Sequence, residues 1–470
     1  MTDITNLSAK ELVSLYQSRE LSPVEVTKAA LEKIAKYNPL VNAFVVIDEE
    51  NALIEARASE ERWLQGKPLG LVDGVPTTVK DLLLTKGLPT LRGSKAISPH
   101  QPWNEDAPSV ARLREQGAVL LGKTTTSEFG WKGVTDSPLT GITRNPWNLE
   151  LTPGGSSGGA AVAAALGLGT IHLGTDGGGS SRSPAALTGV FGFKPTFGRA
   201  AGYPSAHTGT LFHPGILART VTDAALTLNA IARPDVRDWY ALPDDQQDYL
   251  LNLHQGVAGL RIAFSPGLGY ADVEPEVAAL VKKAVETLAK LGAIVEEVDP
   301  GFENPYRIFR TFWVAGAAKL LRGFSPEQRA VIEEGLQANA QEGERLTLAD
   351  YLQANDAREA LGRHLQQFHQ TYDLLITPTL PIVAFPVGQN SPQSSLYPQG
   401  RTWSPFTYPF NLTQQPAASV PCGFTQNGLP VGIQIVAAKY RDILVLQAAR
   451  AYENVSPFQY CSQITRVQRL

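Results

Sequence analysis

Residues 153–185 read PGGSSGGAAVAAALGLGTIHLGTDGGGSSRSPA, a run of small residues between two segments rich in glycine and serine. The middle part, residues 158–174, is built of Ala and Gly rather than Leu and Ile. It meets polar residues before it reaches the ~20 strongly apolar residues that a membrane span needs. The pattern therefore predicts a buried, closely packed helix followed by a strand, and no membrane segment.

Outward from this stretch, short apolar runs alternate with helical segments. Strand-like runs lie at 74–84 (GVPTTVKDLLL), 118–124 (AVLLGKT) and 170–176 (TIHLGTD), and the helical run APSVARLREQG lies between the first two. Such alternation is typical of a largely parallel sheet covered on both faces by helices. We expect an α/β fold in which a mixed, mostly parallel β-sheet is sandwiched by α-helices.

The remaining segments predict one large domain, residues 1–470. Residues 1–60 are predicted to form a helical arm, because S-x-x-E sequences at Ser8 and Ser22 signal helix starts. Residues 61–230 form the expected core, and residues 301–370 form a helical, cap-like insertion. The strand–helix–strand pattern at 260–300 and the strands at 373–382 and 428–437 need a sheet to join, so residues 371–470 are expected to return to the core.

Composition and charge exclude several classes of protein. Of the 470 residues, 43% are hydrophobic and 18% charged, as in ordinary globular proteins. The net charge of −4, with Lys and Arg scattered, lacks the basic footprint of a nucleic-acid-binding protein. Cys422 and Cys461 do not make a disulfide scaffold, no Cys or His spacing suits zinc, and the N-terminus does not read as a secretory signal. We expect a cytoplasmic protein without metal or cofactor.

Two short motifs match patterns whose structural context is missing. Residues 117–124 (GAVLLGKT) match the phosphate-loop pattern, but the four intervening residues are apolar and predict a strand rather than a loop of free N–H groups. Residues 154–158 (GGSSG) match the serine elbow of α/β-hydrolases, but NPWNLELTP before them is not a β-branched strand. The sequence therefore predicts neither a nucleotide-binding loop nor an α/β-hydrolase elbow.

Three segments gain meaning when they are considered together. Lys80 lies among apolar residues, which is unusual for a lysine side chain unless it is paired. The glycines at 177–179 each cost roughly 0.5–1 kcal/mol against alanine in regular structure. Either a tight turn or a ligand that must approach main-chain N–H groups explains such a run.

The chain resembles the amidase signature family in all three segments. The resemblance is carried by Gly74-Val75-Pro76 through Lys80-Asp81, by Pro153 through Gly159, and by Gly174 through Ser180 with Arg182 and Pro184 behind. It continues through GFKPTFGR (192–199), RTVTDAA (219–225) and residues 416–437, so it covers most of the chain.

The resemblance implies a Ser-Ser-Lys triad. Matched residue by residue, Ser180 is the nucleophile, Ser156 is a bridging serine that follows a cis peptide bond, and Lys80 is the base. It also implies that Asp176 and Arg182 hold two loops together by ionic hydrogen bonds, with Ser157 and Thr175 as further supporting neighbours. Ser181 is the adjacent hydroxyl that competes with Ser180 for the nucleophile's role.

The chemistry of these residue types agrees with those roles. A lysine accepts a proton only when it is neutral, so burial must lower its pKa from ~10.4 to about 7–8. Attack on an amide carbonyl creates negative charge on oxygen, and the N–H groups of Gly177, Gly178, Gly179 and Ser180 can form an oxyanion hole. The acyl-enzyme that results is then hydrolysed by water.

The substrate is less well defined by the sequence. Phe129 and Trp131 follow the strand at 118–124, and Phe406 lies in the aromatic stretch RTWSPFTYPF with Trp403, Tyr408 and Phe410. These side chains either line a pocket for bulky, apolar or aromatic amides or fill the core. Aryl amides, esters and carbamates are all candidate substrates.

One segment departs from the A subunit of glutamyl-tRNA(Gln) amidotransferase, a member of the same family. Residues 201–217, AGYPSAHTGTLFHPGIL, lack the acidic residue expected to meet the amino group of glutamine. We therefore predict a free-standing amidase, monomeric or homodimeric, that acts on a small-molecule amide. An amidotransferase subunit that supplies ammonia is the alternative, and a non-catalytic amide-binding protein is a more distant one.

Overall fold

The structure is a computed structural model that describes residues 3–393, 403–461 and 464. In this part of the chain the strands are β1 Phe44–Ile47, β2 Pro76–Lys80, β3 Val119–Thr124, β4 Asp136–Ser137, β5 Gly141–Ile142, β6 Ile171–Asp176, β7 Phe191–Lys194, β8 His213–Ala218, β9 Arg261–Phe264, β10 Ile294–Glu297, β11 Leu374–Pro378, β12 Ala417–Phe424 and β13 Pro430–Ala437.

The α-helices of the described residues are α1 Ala9–Ser18, α2 Pro23–Val41, α3 Glu49–Leu64, α4 Pro108–Glu115, α5 Gly158–Leu166, α6 Arg182–Thr188, α7 Val221–Ile231, α8 Pro275–Lys290, α9 Tyr306–Arg322, α10 Pro326–Arg329, α11 Glu334–Glu344, α12 Leu348–Phe368, α13 Pro409–Leu412 and α14 Asp442–Val455. Short 3₁₀ turns lie at Ile4–Asn6, Glu128–Gly130 and Gly209–Leu211.

One mixed sheet of 11 strands organises the domain, in the order β1-β3-β2-β6-β8-β7-β12-β13-β11-β9-β10. The neighbours in β3-β2-β6 and in β11-β9-β10 run parallel. The central strands from β6 to β11, and the edge strand β1, pair antiparallel. The predicted single α/β domain with a mixed sheet is confirmed, and its parallel pairings form two blocks on either side of an antiparallel centre.

Helices cover both faces of the sheet. Successive side chains of a strand point to opposite faces, and in β3 the residues Val119 and Leu121 pack with Val162 of α5, whereas Leu120 packs with Val110 of α4. All six residues of β3 are buried, so residues 117–124 do not form a phosphate-binding loop.

The small-residue helix α5 packs closely against the sheet near the site. All nine residues of α5 are buried, and a Cβ at Gly159 would lie 2.5 Å from the backbone N of Thr125. Glycine and alanine are needed there because larger residues would push α5 away from the sheet. None of the described helices is long and apolar enough to cross a bilayer.

The N-terminal residues are helical, but they also supply a strand that the sequence analysis missed. Ser8 and Ser22 both form the predicted capping boxes, with Glu11 and Glu25 respectively. The strand β1 then joins the edge of the sheet against β3. Residues 1–60 are therefore more than a helical arm, because the apolar run FVVI is long enough to extend the sheet.

The later segments join the same sheet, as predicted. The unit β9-α8-β10 adds two parallel strands next to β11, and β13 pairs with β11 and β12. Residues 301–370 are helical, and α9 contacts both α11 and α12. Helix α9 brings aromatic side chains onto the glycine-rich loop after β6.

Candidate active site

The site forms where β2 and β6 end side by side. These strands are parallel neighbours, with Val79 opposite Leu173, so their carboxyl ends lie at the same edge of the sheet. Lys80 is the last residue of β2 and Asp176 is the last residue of β6. The loop before α5 carries Ser156 and meets the loop after β6, and the N–H of Ser157 donates to the carbonyl of Ser180 at 3.2 Å.

Lys80 is fully buried and bonds only to hydroxyl groups. Its Nζ lies 2.8 Å from each of three oxygens: Ser156 Oγ, Ser157 Oγ and Thr175 Oγ1. No carboxylate in the described residues forms an ion pair with it. Burial holds the pKa of Lys80 well below its ordinary value, and the charge of Asp176 opposes this shift only in part.

The three hydroxyls around Lys80 are not equivalent. Ser157 Oγ donates its own proton to the carbonyl of Thr175 at 3.1 Å, so it can only accept from the lysine. Ser156 and Thr175 have no second hydrogen-bond acceptor in the described residues, and both line a cavity that also contains Ser180. The peptide bond between Gly155 and Ser156 is cis.

The structure distinguishes the two adjacent hydroxyls at 180 and 181. Ser180 Oγ has no hydrogen-bond partner in the described residues, and the side chain lines two cavities. Ser181 is fully buried and its Oγ donates to the carbonyl of Thr175 at 3.1 Å. Its backbone N–H also donates to Asp176. Ser180 is therefore the hydroxyl that a bound molecule can reach.

The glycine run contributes free amides, but not from all three glycines. The N–H of Gly179, which the sequence analysis assigned to the oxyanion hole, donates to Asp176 Oδ1 at 2.8 Å. The N–H groups of Gly177, Gly178 and Ser180 have no acceptor in the described part of the chain, and all three residues line the cavities. The N–H groups that remain free to donate are thus those of Gly177, Gly178 and Ser180.

The same glycines also allow close packing. A Cβ at Gly178 would lie 2.8 Å from Cζ of Phe309 in α9, and a Cβ at Gly179 would collide with Thr407. Gly179 has a φ of 122°, which a residue with a side chain rarely adopts. The glycine run therefore serves both purposes: it allows a tight turn, and it leaves main-chain N–H groups accessible to a ligand.

Asp176 and Arg182 form a buried ion pair at the centre of the loop. Arg182 Nε and Nη2 donate to the two carboxylate oxygens at 3.0 and 2.9 Å, and both side chains are fully buried. Arg182 also donates to the Thr407 carbonyl, Gln434 and Asn411. Arg182 and the other donors hold the pKa of Asp176 far below its ordinary value, against the effect of burial.

Two adjoining cavities meet at Ser180. The first has a volume of about 280 Å³ and the second about 460 Å³. Ser180, Gly130 and Trp313 line both. A molecule with a group on each side of a scissile bond could therefore place one group in each cavity.

The predicted aromatic pocket needs one correction. Phe129 lines the first cavity, and Trp131 and Trp403 line the second. Phe406 lines neither, because it is 0% exposed and packs in the core with Tyr408 and Phe410.

Two aromatic residues of α9, which the sequence pattern does not single out, also line the site. Phe309 and Trp313 of α9 line the second cavity, with ring centroids 5.1 Å apart. Their i, i+4 spacing on a helix was the available signal, but the same spacing is typical of core-facing residues.

No histidine is placed as a catalytic base. His213 Nδ1 lies 2.9 Å from the carbonyl of Leu211, and burial holds its pKa well below its ordinary value. His207 lines the first cavity but has no hydrogen-bonded carboxylate to orient it, and its pKa is lowered to about 4 by burial and by Arg92 and Lys319. In the described residues no group of three or more His, Cys, Asp or Glu side chains could hold a metal ion.

Comparison with known proteins identifies the family of the chain. The sequence model of the Amidase family matches residues 25–446. An acylamidase from Rhodococcus erythropolis is 39% identical over 462 residues, which is 96% of each chain. The A subunit of glutamyl-tRNA(Gln) amidotransferase from Salinispora arenicola is 37% identical and covers 97% of this chain and 99% of its own. The crystal structure of a bacterial aryl acylamidase superposes with a TM-score of 0.90 at 31% identity, over 99% of both chains.

These matches extend over nearly the whole chain and include both sequence and structure. The chain belongs to the amidase signature family, and it is an amide hydrolase.

Proposed function

We propose that this protein hydrolyses a carboxylic amide through an acyl-enzyme on Ser180, with Ser156 relaying protons to and from Lys80, and without metal or organic cofactor. One observation carries the proposal. A fully buried lysine without a carboxylate partner is bonded to three hydroxyls at 2.8 Å, beside a serine hydroxyl that is free in a cavity. This arrangement is suited to accepting a proton from a hydroxyl.

The first step is proton removal from Ser180. Burial lowers the pKa of Lys80 and so favours its neutral form, which the reaction needs. A neutral amine can accept the proton of Ser156 Oγ, which in turn accepts the proton of Ser180 as its Oγ attacks the carbonyl carbon. The new bond joins Ser180 Oγ to that carbon, and the electron pair of the carbonyl moves to oxygen.

The oxyanion needs donors that are not already bonded. Gly177, Gly178 and Ser180 offer N–H groups without an acceptor, whereas Gly179 is held by Asp176. Removal of one such donor typically costs ~3–4 kcal/mol in the barrier. We therefore assign the oxyanion hole to these three amides, and Asp176 and Arg182 to the support of the loop that presents them.

The second half of the reaction returns the protons. The proton on Lys80 passes through Ser156 to the leaving nitrogen as the carbon–nitrogen bond breaks, which releases ammonia or an amine. Water then loses a proton along the same path and attacks the acyl carbon. The carboxylic acid leaves, and Ser180 recovers its proton.

The test is release of amine or ammonia by the purified single chain. The panel contains an aliphatic primary amide, an aromatic primary amide, an anilide and an aryl carbamate, and the control is Ser180→Ala. We expect turnover of at least one compound and its loss in the control. Turnover that survives in Ser180→Ala would contradict the proposal.

A matched pair of variants tests the relay. Ser156 and Thr175 are both bonded to Lys80 and both line the first cavity. Ser156→Ala is expected to lower kcat by about 10²–10⁴-fold, the range for a positioned acid–base group, and Thr175→Val by much less. Equal losses would show that Thr175 carries the proton as readily as Ser156.

A second candidate, an amidotransferase subunit, is supported by the 37% identity to such a protein. The first cavity favours the free-standing enzyme, because none of its lining residues in the described chain is Asp or Glu. Activity of the isolated chain without ATP or tRNA distinguishes the two. The cytoplasmic location and the monomeric or homodimeric state predicted from the sequence stay predictions.

A further inference from the structure

The two cavities at Ser180 differ in how their cations are neutralised. In the second cavity, Lys132 lies 2.6 Å from Glu333 and also pairs with Asp136. Arg310 of the same cavity bonds to Glu342 at 3.1 Å. These positive charges are already balanced by the protein.

The first cavity has positive charges without such partners. Arg92 and Lys319 line it, and neither side chain has a hydrogen bond or an ion pair in the described residues. No Asp or Glu in the described residues lines this cavity. Arg92 is half-buried and feels the charge of Asp81, a carboxylate outside the lining that pairs with Lys123, whereas Lys319 is exposed. The lining itself therefore offers two cations and no carboxylate, and a half-buried charge such as Arg92 gains from a direct partner.

Arg92 is held at the cavity by an unusual backbone. It has a φ of 56°, and Phe129, which also lines the cavity, has a φ of 50°. The two residues are joined, since the N–H of Phe129 donates to the carbonyl of Arg92 at 2.8 Å. Non-glycine residues rarely adopt this region and cluster at functional sites when they do.

Lys319 and the uncharged His207 also line this cavity. Lys319 lies on α9, and His207 contacts Trp313 of the same helix, with ring centroids 6.5 Å apart. The charges of Arg92 and Lys319 help burial to lower the pKa of His207 to about 4. The imidazole is therefore neutral at pH 7 and can donate one hydrogen bond without adding charge.

We propose that the first cavity binds a carboxylate of the substrate through Arg92 and Lys319, so that the enzyme prefers amides that carry an acid group on the part held there. This inference rests on the proposed function, because it concerns the substrate of the same site. A guanidinium and an ammonium group both form charge-assisted hydrogen bonds to a carboxylate. The volume of about 280 Å³ fits a short organic acid.

Two pairs of anilides test the preference. The first pair places the acid on the acyl side: glutaric acid mono-4-nitroanilide against its methyl ester. The second pair places it on the amine side: 4-acetamidobenzoate against its methyl ester. In one of the two pairs we expect kcat/KM for the acid to exceed that of the ester by about 10- to 100-fold, as hydrogen bonds to charged groups allow. The excess should shrink as ionic strength rises.

Variants of the two cations connect the preference to this cavity. Lys319 is exposed on a helix, so Lys319→Gln is expected to fold. Lys319→Gln and Arg92→Gln should each lower the acid-to-ester ratio by about 10-fold or more, and Lys319→Arg should restore most of it. The matched control is Arg322→Gln on the same helix, outside both cavities, which should leave the ratio as it is.

A binding measurement separates this inference from the proposed function. Calorimetry with Ser180→Ala should show tighter binding of the preferred acid than of its ester, and the double variant with Lys319→Gln should lose the difference. Equal binding and equal hydrolysis of acids and esters would overturn the carboxylate site while leaving the amidase activity intact. Selective binding of the acid without any turnover by the wild type would support the site and contradict the proposed function.

Discussion

Replacement of Lys80 by methionine separates a catalytic lysine from a structural one, because the chain has a second buried lysine on the neighbouring strand. Lys80 in β2 and Lys123 in β3 are both 0% exposed. Lys80 bonds to three hydroxyls at the site. Lys123 donates to the Leu83 carbonyl and the Thr90 hydroxyl, and unlike Lys80 it also has a carboxylate, that of Asp81, at 3.4 Å.

The two replacements should affect different properties: one mainly activity, the other mainly stability. Lys80→Met removes the proposed base and should lower kcat/KM by about 10²–10⁴-fold. It leaves no buried charge unpaired, and three lost hydrogen bonds of about 1 kcal/mol each are offset by the amine that is no longer buried. We expect the free energy of unfolding to change by less than about 2 kcal/mol.

Lys123→Met should mainly affect stability. It leaves Asp81, which is 1% exposed, without its cation. Breaking a buried pair in this way typically costs about 3–5 kcal/mol. Activity per folded molecule should fall far less than in Lys80→Met.

The assay combines two measurements on each variant. Urea unfolding, monitored by circular dichroism, gives the change in the free energy of unfolding. Release of 4-nitroaniline from an anilide, divided by the folded fraction, gives kcat/KM. If Lys80→Met loses activity only in proportion to the folded protein it loses, the assignment of Lys80 as the base is wrong.

Three further predictions follow from the same contacts. Because burial lowers the pKa of Lys80 and only its neutral form accepts a proton, the rate should rise with pH through that pKa and stay level above it. A pH–rate profile checks this, and a fall in rate on the alkaline side would contradict it. Gly178→Ala puts a Cβ 2.8 Å from Phe309, so kcat/KM should fall by at least about 10-fold in steady-state kinetics, while the free energy of unfolding falls by only about 1–3 kcal/mol. A large loss of stability with unchanged kcat/KM would assign the glycine to packing alone. Asp176→Asn leaves Arg182 buried without a charge partner and should cost about 3–5 kcal/mol in urea unfolding, a value that an effect below 1 kcal/mol would refute.

Much of the sheet could be predicted from the sequence, since its strands are continuous apolar runs. The strands at 76–80, 119–124 and 171–176 have all their residues buried, and such runs are visible without knowledge of their partners. The antiparallel centre was harder to predict. Only the β12–β13 connection, with Asn427-Gly428 between the strands, carried a hairpin signal, and β8 contains a proline that weakens a strand prediction.

The candidate site was predictable to the extent that its residues follow each other in motifs. Lys80, Ser156 and Ser180 were identified through the resemblance to the amidase signature family, and the structure brings Lys80 and Ser156 to 2.8 Å across 76 residues of sequence. The use of the Gly179 N–H by Asp176 could not be predicted, because it depends on the turn that the loop makes.

The walls of the cavities depend on tertiary contacts that local sequence does not specify. The aromatic stretch predicts Phe406 in a pocket, but Phe406 lies in the core, whereas Phe309, Trp313 and Lys319 reach the site from α9. All of these residues fit an ordinary amphipathic or apolar pattern. Which of them line a cavity is decided by how residues 301–370 pack on the glycine-rich loop.

The most direct test of the central claim is to trap the acyl-enzyme. An activated ester or anilide is mixed with the purified chain, the reaction is quenched in acid during the first turnover, and the protein is digested and analysed by mass spectrometry. The account predicts one acyl group, carried by Ser180, that is absent from Ser180→Ala and forms far more slowly in Lys80→Met. An acyl group on Ser181 or Ser156, or turnover without any acylated serine, would contradict it.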